Sequence, residues 1–290
     1  MLKIVPVHLV KIRIRMKWLL TLCLSMLLTN LFSQYYFNDL VATQQANEQY
    51  KLLRGQKVKI VKATSYEPDN SITEGFLLEQ DISLDGKKIV LTAATTGGKK
   101  ETSTTQYEFG KLKRSHSYTN GIDTKTEYTY TDKGAVQRIV FTTTDTAMKS
   151  TNTEVHEWLY NESGQPVSMS KVKNKSDTTL IECIRDDQGL VVEERWKRKN
   201  RGIETYYYYY DAKKQLTDIV RFNARLKKFL PDYQYEYDDL GRVSQLTQFS
   251  LSSASYLIWK YRYTEQGLKQ EESAFDKERK LVGKMVYNYE

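Results

Sequence analysis

The chain has 290 residues, with 44 Lys plus Arg against 36 Asp plus Glu and a formal net charge of +8. Five of those bases lie in the first 33 residues, which hold no acid, so the other 257 residues carry 39 bases against 36 acids, a net +3. A charge that close to balance gives no ground for nucleic acid or an anionic membrane as a partner, and two cysteines exclude a disulfide scaffold.

Residues 1–17 are basic, and Trp18 to Leu28 form a short apolar run. Together they read as a secretory signal peptide, because the run falls short of the ~20 apolar residues a spanning helix needs. Cleavage after Ser33 would leave Gln34 first. The expected location is therefore secreted, periplasmic or outer envelope. Lipidation at Cys23 and an uncleaved leader are the alternatives, the latter giving the membrane contact this reading allows. The domain plan is 1–33 signal peptide, 34–56 helical segment and 57–290 repeat sheet.

Asn38 to Arg54 is predicted to be a helix, with Asn38 as its N-cap and Gly55 as its stop. From Lys57 onward Val, Ile, Thr and Tyr alternate with polar residues, and turns are spelled Asp85-Gly86, Gly97-Gly98 and Asn120-Gly121. These are hairpin signals.

One unit then recurs: alternating aromatics, a polar turn usually containing Gly, and an aliphatic return strand. Its marker residues are Phe109, Tyr130 with Gly134, Tyr160 with Gly164, Arg185 with Gly189, Tyr210, Tyr237 with Gly241, Tyr263 with Gly267, and Tyr289. Residues two apart share a strand face, so Tyr206, Tyr208 and Tyr210 point one way and Tyr207 and Tyr209 the other. The return strands step by three, as in Leu216-Ile219-Phe222 and Val243-Leu246-Phe249. A step of three reverses faces in a regular strand, which predicts a bulge between the first two apolar residues. The expected fold is all-β, a curled antiparallel sheet of about 16 strands with one short N-terminal helix.

Tyr237-Asp238-Asp239-Leu240-Gly241-Arg242-Val243 resembles the YD repeat of RHS and teneurin-like shells, and the looser copies extend that resemblance over residues 102–290. The resemblance implies a spiralling antiparallel sheet. It also implies a shell that encloses a toxin or displays carbohydrate-binding surfaces.

The search for chemistry is less productive. Ser168-Met-Ser-Lys171 spells S-x-x-K, but on a return strand rather than at a helix start. Gly97-Gly98-Lys99-Lys100 opens no helix. Asp186-Asp187 and Asp238-Asp239 lie where Asp serves turn geometry. His156, on the face of Trp158 and Tyr160, reads as a packed histidine rather than a metal ligand. Nothing calls for a cofactor or an enzyme. Two stretches remain as ligand candidates: Arg195, Trp196 and Lys197, where cations surround an indole, and Tyr207 and Tyr209, whose rings suit stacking on a sugar. Both also have a structural reading, as strand-end charges and as cross-strand packing. The expected function is an exported, non-catalytic envelope protein, structural or carbohydrate-binding, with a cell-surface glycan or another envelope protein as partner. A carrier whose concave sheet holds lipid and an accessory fragment of a YD-repeat toxin shell are the alternatives.

Overall fold

The computed structural model describes residues 34–198, 204–223, 226–250 and 255–290. The expected leader, with its expected cleavage after Ser33, lies outside them, as do Lys199, Asn200 and Arg201.

Eighteen strands are present among the described residues, from β1 (Ile60–Tyr66) to β18 (Leu281–Tyr289), each antiparallel to its neighbours in sequence. β18 then pairs with β1, Val61 opposite Tyr289, and the sheet closes into a barrel. The expectation of a curled sheet of about 16 strands is therefore corrected to a closed barrel of 18 among the described residues. The reason lies in residues 57–101, which carry no copy of the repeat. They fold into β1, β2 (Leu77–Ile82) and β3 (Lys88–Ala94), and β1 covers the edge that the last repeat would otherwise expose. Closure removes both unpaired edges at once.

The repeat has a mechanical explanation at one rim. Tyr130 donates its hydroxyl proton to the Leu112 carbonyl at 2.6 Å, and Tyr160 does the same to Val136 at 2.5 Å. Tyr210, Tyr237, Tyr263 and Tyr289 donate to Val191, Leu216, Val243 and Lys269. Each phenol thus satisfies a carbonyl of the preceding hairpin's return strand. Where the repeat has Arg185 instead, its guanidinium donates to the Pro166 carbonyl. The acid after the tyrosine holds the turn: Asp238 Oδ1 accepts the Leu240 and Arg242 amides at 3.0 and 2.9 Å. Gly241 supplies the positive φ of 78° that this turn requires, and Lys214 adopts 63° in the equivalent place.

The bulges fall on the return strands. In β13 (Leu216–Asn223), Tyr210 faces Leu216 and Tyr209 faces Asp218, leaving Thr217 as the extra residue. In β15 (Val243–Ser250) it is Ser244. Each bulge lets both Leu216 and Ile219, or Val243 and Leu246, turn toward the lumen.

The wall is apolar on its inner side. Trp158, Met169, Ile181, Tyr206, Tyr208, Ile219 and Trp259 are all buried there. Residues between them point outward and form ion pairs, such as Arg138–Glu157 at 3.2 Å, Lys197–Glu182 at 2.6 Å and Arg262–Glu271.

The helical segment occupies the lumen. A wide π turn, Tyr36–Val41, runs directly into helix α1, Ala42–Gly55. It begins two residues before the predicted Asn38 cap. Tyr35 stands at the cap position with helical φ and ψ and no side-chain cap of its own. One face of the helix meets the wall: Tyr50 stacks on Tyr107 with ring centroids 3.8 Å apart and donates its hydroxyl to the Gly86 carbonyl. Asn47 accepts the Leu112 amide at 2.7 Å.

Candidate functional site

Two sites emerge, one inside the barrel and one on its outer wall. The inner one is built where the start of the helical segment meets β8 (Ser150–Tyr160) and β11 (Val191–Arg198). In β11, alternation sends Glu193, Arg195 and Lys197 outward and Glu194 and Trp196 inward. Glu194 is 0% exposed. Its carboxylate accepts the Tyr35 and Tyr36 amides at 2.9 Å each, the Trp196 indole N–H at 2.5 Å and the Tyr208 hydroxyl at 2.6 Å. It is the missing helix cap, supplied from the wall, with its negative charge at the positive end of the helix. Burial pushes the carboxyl pKa up, and the four hydrogen bonds oppose that rise.

One turn further on, Asp39 Oδ2 accepts from His156 Nδ1 at 2.7 Å and from the Trp158 indole N–H at 3.0 Å. The other ring nitrogen of His156 lies 2.9 Å from Glu154, which also pairs with Lys171 at 2.9 Å. Lys171 in turn donates to the Tyr35 hydroxyl at 2.6 Å. Burial disfavours the charged imidazole, but the Asp39 and Glu154 carboxylates more than offset it and hold the pKa up to about 9. Burial also acts against charge on Glu154, yet hydrogen bonds from His156 and Lys171 lower its pKa to about 2. At the segment's beginning, Gln34 donates to Asp232 at 2.9 Å, and Asp232 pairs with Arg221 at 3.1 Å.

These carboxylates, the imidazole and the ammonium hydrogen-bond to the segment and to one another. The Asp39–His156 pair has the composition of an acid–base relay, but both side chains are sealed between helix and wall. Their charges fix residues 34–39 in place. Among the described residues, no three His, Cys, Asp or Glu side chains converge as metal ligands do. Cys183 is buried, and burial pushes its thiol up to about 12.

The ligand candidates from the sequence are split between the two sides of the wall. Trp196 is 2% exposed and faces the lumen, its ring 4.7 Å from Tyr35, so it is not part of an outer cationic surface. Its flanking cations do point outward: Arg195 pairs with Glu193 at 2.6 Å and Lys197 with Glu182. Tyr207 leans edge-on against Phe229 at 5.2 Å, and Tyr209 is 51% exposed. Both tyrosines stand on the outer face of β12 (Glu204–Tyr210), away from the inner site. Glu194 was readable only as a member of a charged run. The signal that finds it is period-two alternation with Trp196, which places the acid on the buried face.

No family model matches the chain, and no curated protein matches it. Several solved structures are similar to it at low identity and low TM-score. A porin-like protein from Bacteroides uniformis is 11% identical, with 80% of this chain and 98% of that chain covered and a TM-score of 0.39. A porin-like protein from Bacteroides vulgatus is 13% identical, with 80% and 98% covered and a TM-score of 0.27. The Photorhabdus luminescens Tc holotoxin pore is 10% identical, and the match takes in 81% of this chain but 17% of that one, with a TM-score of 0.30.

Proposed function

We propose that the protein is a plugged, water-facing β-barrel of the cell envelope, exported by its leader and non-catalytic, that engages its partner through its outer wall. The observation that carries this reading is the polarity of the wall. A membrane-spanning barrel turns an apolar band outward and keeps a polar lumen. Here the aromatic side faces the lumen, and Arg138–Glu157, Lys197–Glu182 and Arg262–Glu271 face out. An Arg or Lys on a lipid-facing wall costs about 2–4 kcal/mol at the bilayer midplane. No helix among the described residues is long and apolar enough to cross a membrane.

The finer reading is a structural or carbohydrate-binding role, with exposed Tyr209 as the stacking ring. The carrier alternative finds less support, because the helical segment already engages the concave face through Glu194, His156 and Tyr107. Cell fractionation tests the proposal. The barrel is expected to leave the envelope in alkaline carbonate without detergent. Retention in the membrane pellet until detergent is added would contradict a water-facing wall.

A further inference from the structure

Phe109 opens the recurring aromatic series in the sequence, and the structure takes it out of that role. The tyrosines of the series, Tyr130 and Tyr160 among them, end their strands and donate to carbonyls of the preceding hairpin. Phe109 has no hydroxyl to donate, and it lies in the two-residue turn between β4 (Glu101–Glu108) and β5 (Lys111–Thr119). It is 95% exposed and takes φ 50°, followed by Gly110 at 76°. At the other end of β5, Asn120 and Gly121 form a turn of the same kind, with φ 51° and 83°. Asn suits a positive φ, and a bulky aromatic residue does not. An apolar ring thus stands in water on a backbone that disfavours it, a combination that points to use rather than packing.

A second apolar side chain stands on the neighbouring hairpin. Leu84, in the turn between β2 and β3, is 97% exposed. The two hairpins are joined by the pairing of β3 with β4, Lys88 opposite Gln106, and the Tyr107 amide donates to the Lys87 carbonyl at 2.8 Å. Adjacent hairpins on a rim are two strand spacings, about 10 Å, apart.

Cations gather at the base of both turns. Lys87 follows Gly86 within the first turn and is exposed. Arg54, near the end of α1, lies across Gly86 and donates to the Asp85 carbonyl at 2.5 Å. Lys51, one turn earlier on α1, reaches over the second turn, its Cε 3.5 Å from where a Cβ on Gly110 would stand. Two acids share these turns. Asp85 accepts the Ser83 hydroxyl at 2.7 Å and the Lys87 amide at 3.0 Å, and Glu108 pairs with Lys113 at 3.5 Å. Among the described residues Lys51, Arg54 and Lys87 enter no ion pair, so the sector is locally positive although the chain as a whole is near balance.

The chemistry selects the occupant. Phe and Leu offer no hydrogen bond to a sugar hydroxyl, and two side chains almost wholly in water project from the rim rather than line a groove. Projecting apolar groups with cations at their base match an anionic lipid surface, where the apolar groups enter the headgroup boundary and the cations meet phosphate. We propose that this sector of the rim docks the barrel onto anionic lipid, with Leu84 and Phe109 inserted and Lys51, Arg54 and Lys87 against the phosphates. The proposal rests on the water-facing reading of the wall, since a barrel that docks by its rim must keep its wall in water.

Sedimentation of the full chain with lipid vesicles tests it. Binding to phosphatidylcholine–phosphatidylglycerol vesicles is expected to exceed binding to phosphatidylcholine alone by about tenfold or more. The double variant Leu84→Ser, Phe109→Asn should lose that binding by a similar factor. Its urea midpoint should stay at or above that of wild type, because Asn suits the positive φ and neither side chain is packed. The double variant Lys51→Gln, Lys87→Gln should lose the preference for phosphatidylglycerol. Vesicle binding unchanged in both variants would overturn the proposal, as would a wild type that binds no vesicles. Capture by an envelope protein without vesicle binding would likewise overturn it, in favour of a protein partner. A barrel that carbonate extracts but that ignores vesicles fails this proposal alone; one that resists carbonate fails the water-facing reading beneath it.

Discussion

Replacing Glu194 by Gln should destabilise the barrel by about 3 kcal/mol or more, measured as a lower urea midpoint. All four groups around this carboxylate approach as donors: the Tyr35 and Tyr36 amides, the Trp196 indole and the Tyr208 hydroxyl. An ionised carboxylate only accepts, so it suits them all. The amide of Gln puts an NH2 where an oxygen stood, and donors then confront donors with no water to relieve them. The side chain is nearly isosteric, so packing changes little and the loss reports the polar contacts. A loss below about 1 kcal/mol would mean that the wall does not hold the helix start in this way.

Stability should also fall as pH rises through the His156 titration. The imidazolium contacts Asp39 on the helical segment and Glu154 on its own strand; Lys171 and the Tyr35 hydroxyl lie beyond Glu154, and Phe141 and Tyr35 pack against the ring. The folded-state pKa is raised from 6.5 to about 9. The stabilisation is therefore complete below about 6.5 and is lost as pH rises through about 9. For a buried group this shift corresponds to something on the order of 3 kcal/mol. Glu154 acts in the opposite sense: its lowered pKa gives stability that is present above about 4.5 and lost as pH falls toward about 2. Denaturation followed from neutral pH to about pH 9 should show the decline in wild type and a nearly flat profile in His156→Asn. Parallel profiles would show that the imidazolium does not carry the effect.

The parts of this architecture that depend on near neighbours could be read from the chain. Tyr206 and Tyr208 share a face because they are two apart, and Asp238 and Gly241 shape a turn among adjacent residues. The step from Leu216 to Ile219 demands an extra residue, and Thr217 is there. What escaped reading depends on distant partners. Closure joins Val61 to Tyr289, and no feature of either residue names the other. Asn38 looks like an N-cap because Asn commonly is one, yet the helix starts earlier because Glu194, 158 positions beyond Tyr36, supplies the acceptor. Trp196 illustrates a competing signal, since the cations around it in sequence suggest a surface while alternation carries it inside. The outward pair Tyr207 and Tyr209 was legible as a second face. Phe229 as the neighbour of Tyr207 was not, because the pairing of β13 with β14 (Lys228–Tyr237) places it there.

Hydrogen exchange of the Tyr35 and Tyr36 amides bears most directly on the claim that residues 34–55 plug a closed barrel from within. If buried Glu194 grips both amides within the lumen, they should exchange only as rarely as the core strands do. Exchange at the rate of an exposed chain end would mean that the lumen is not occupied by this segment.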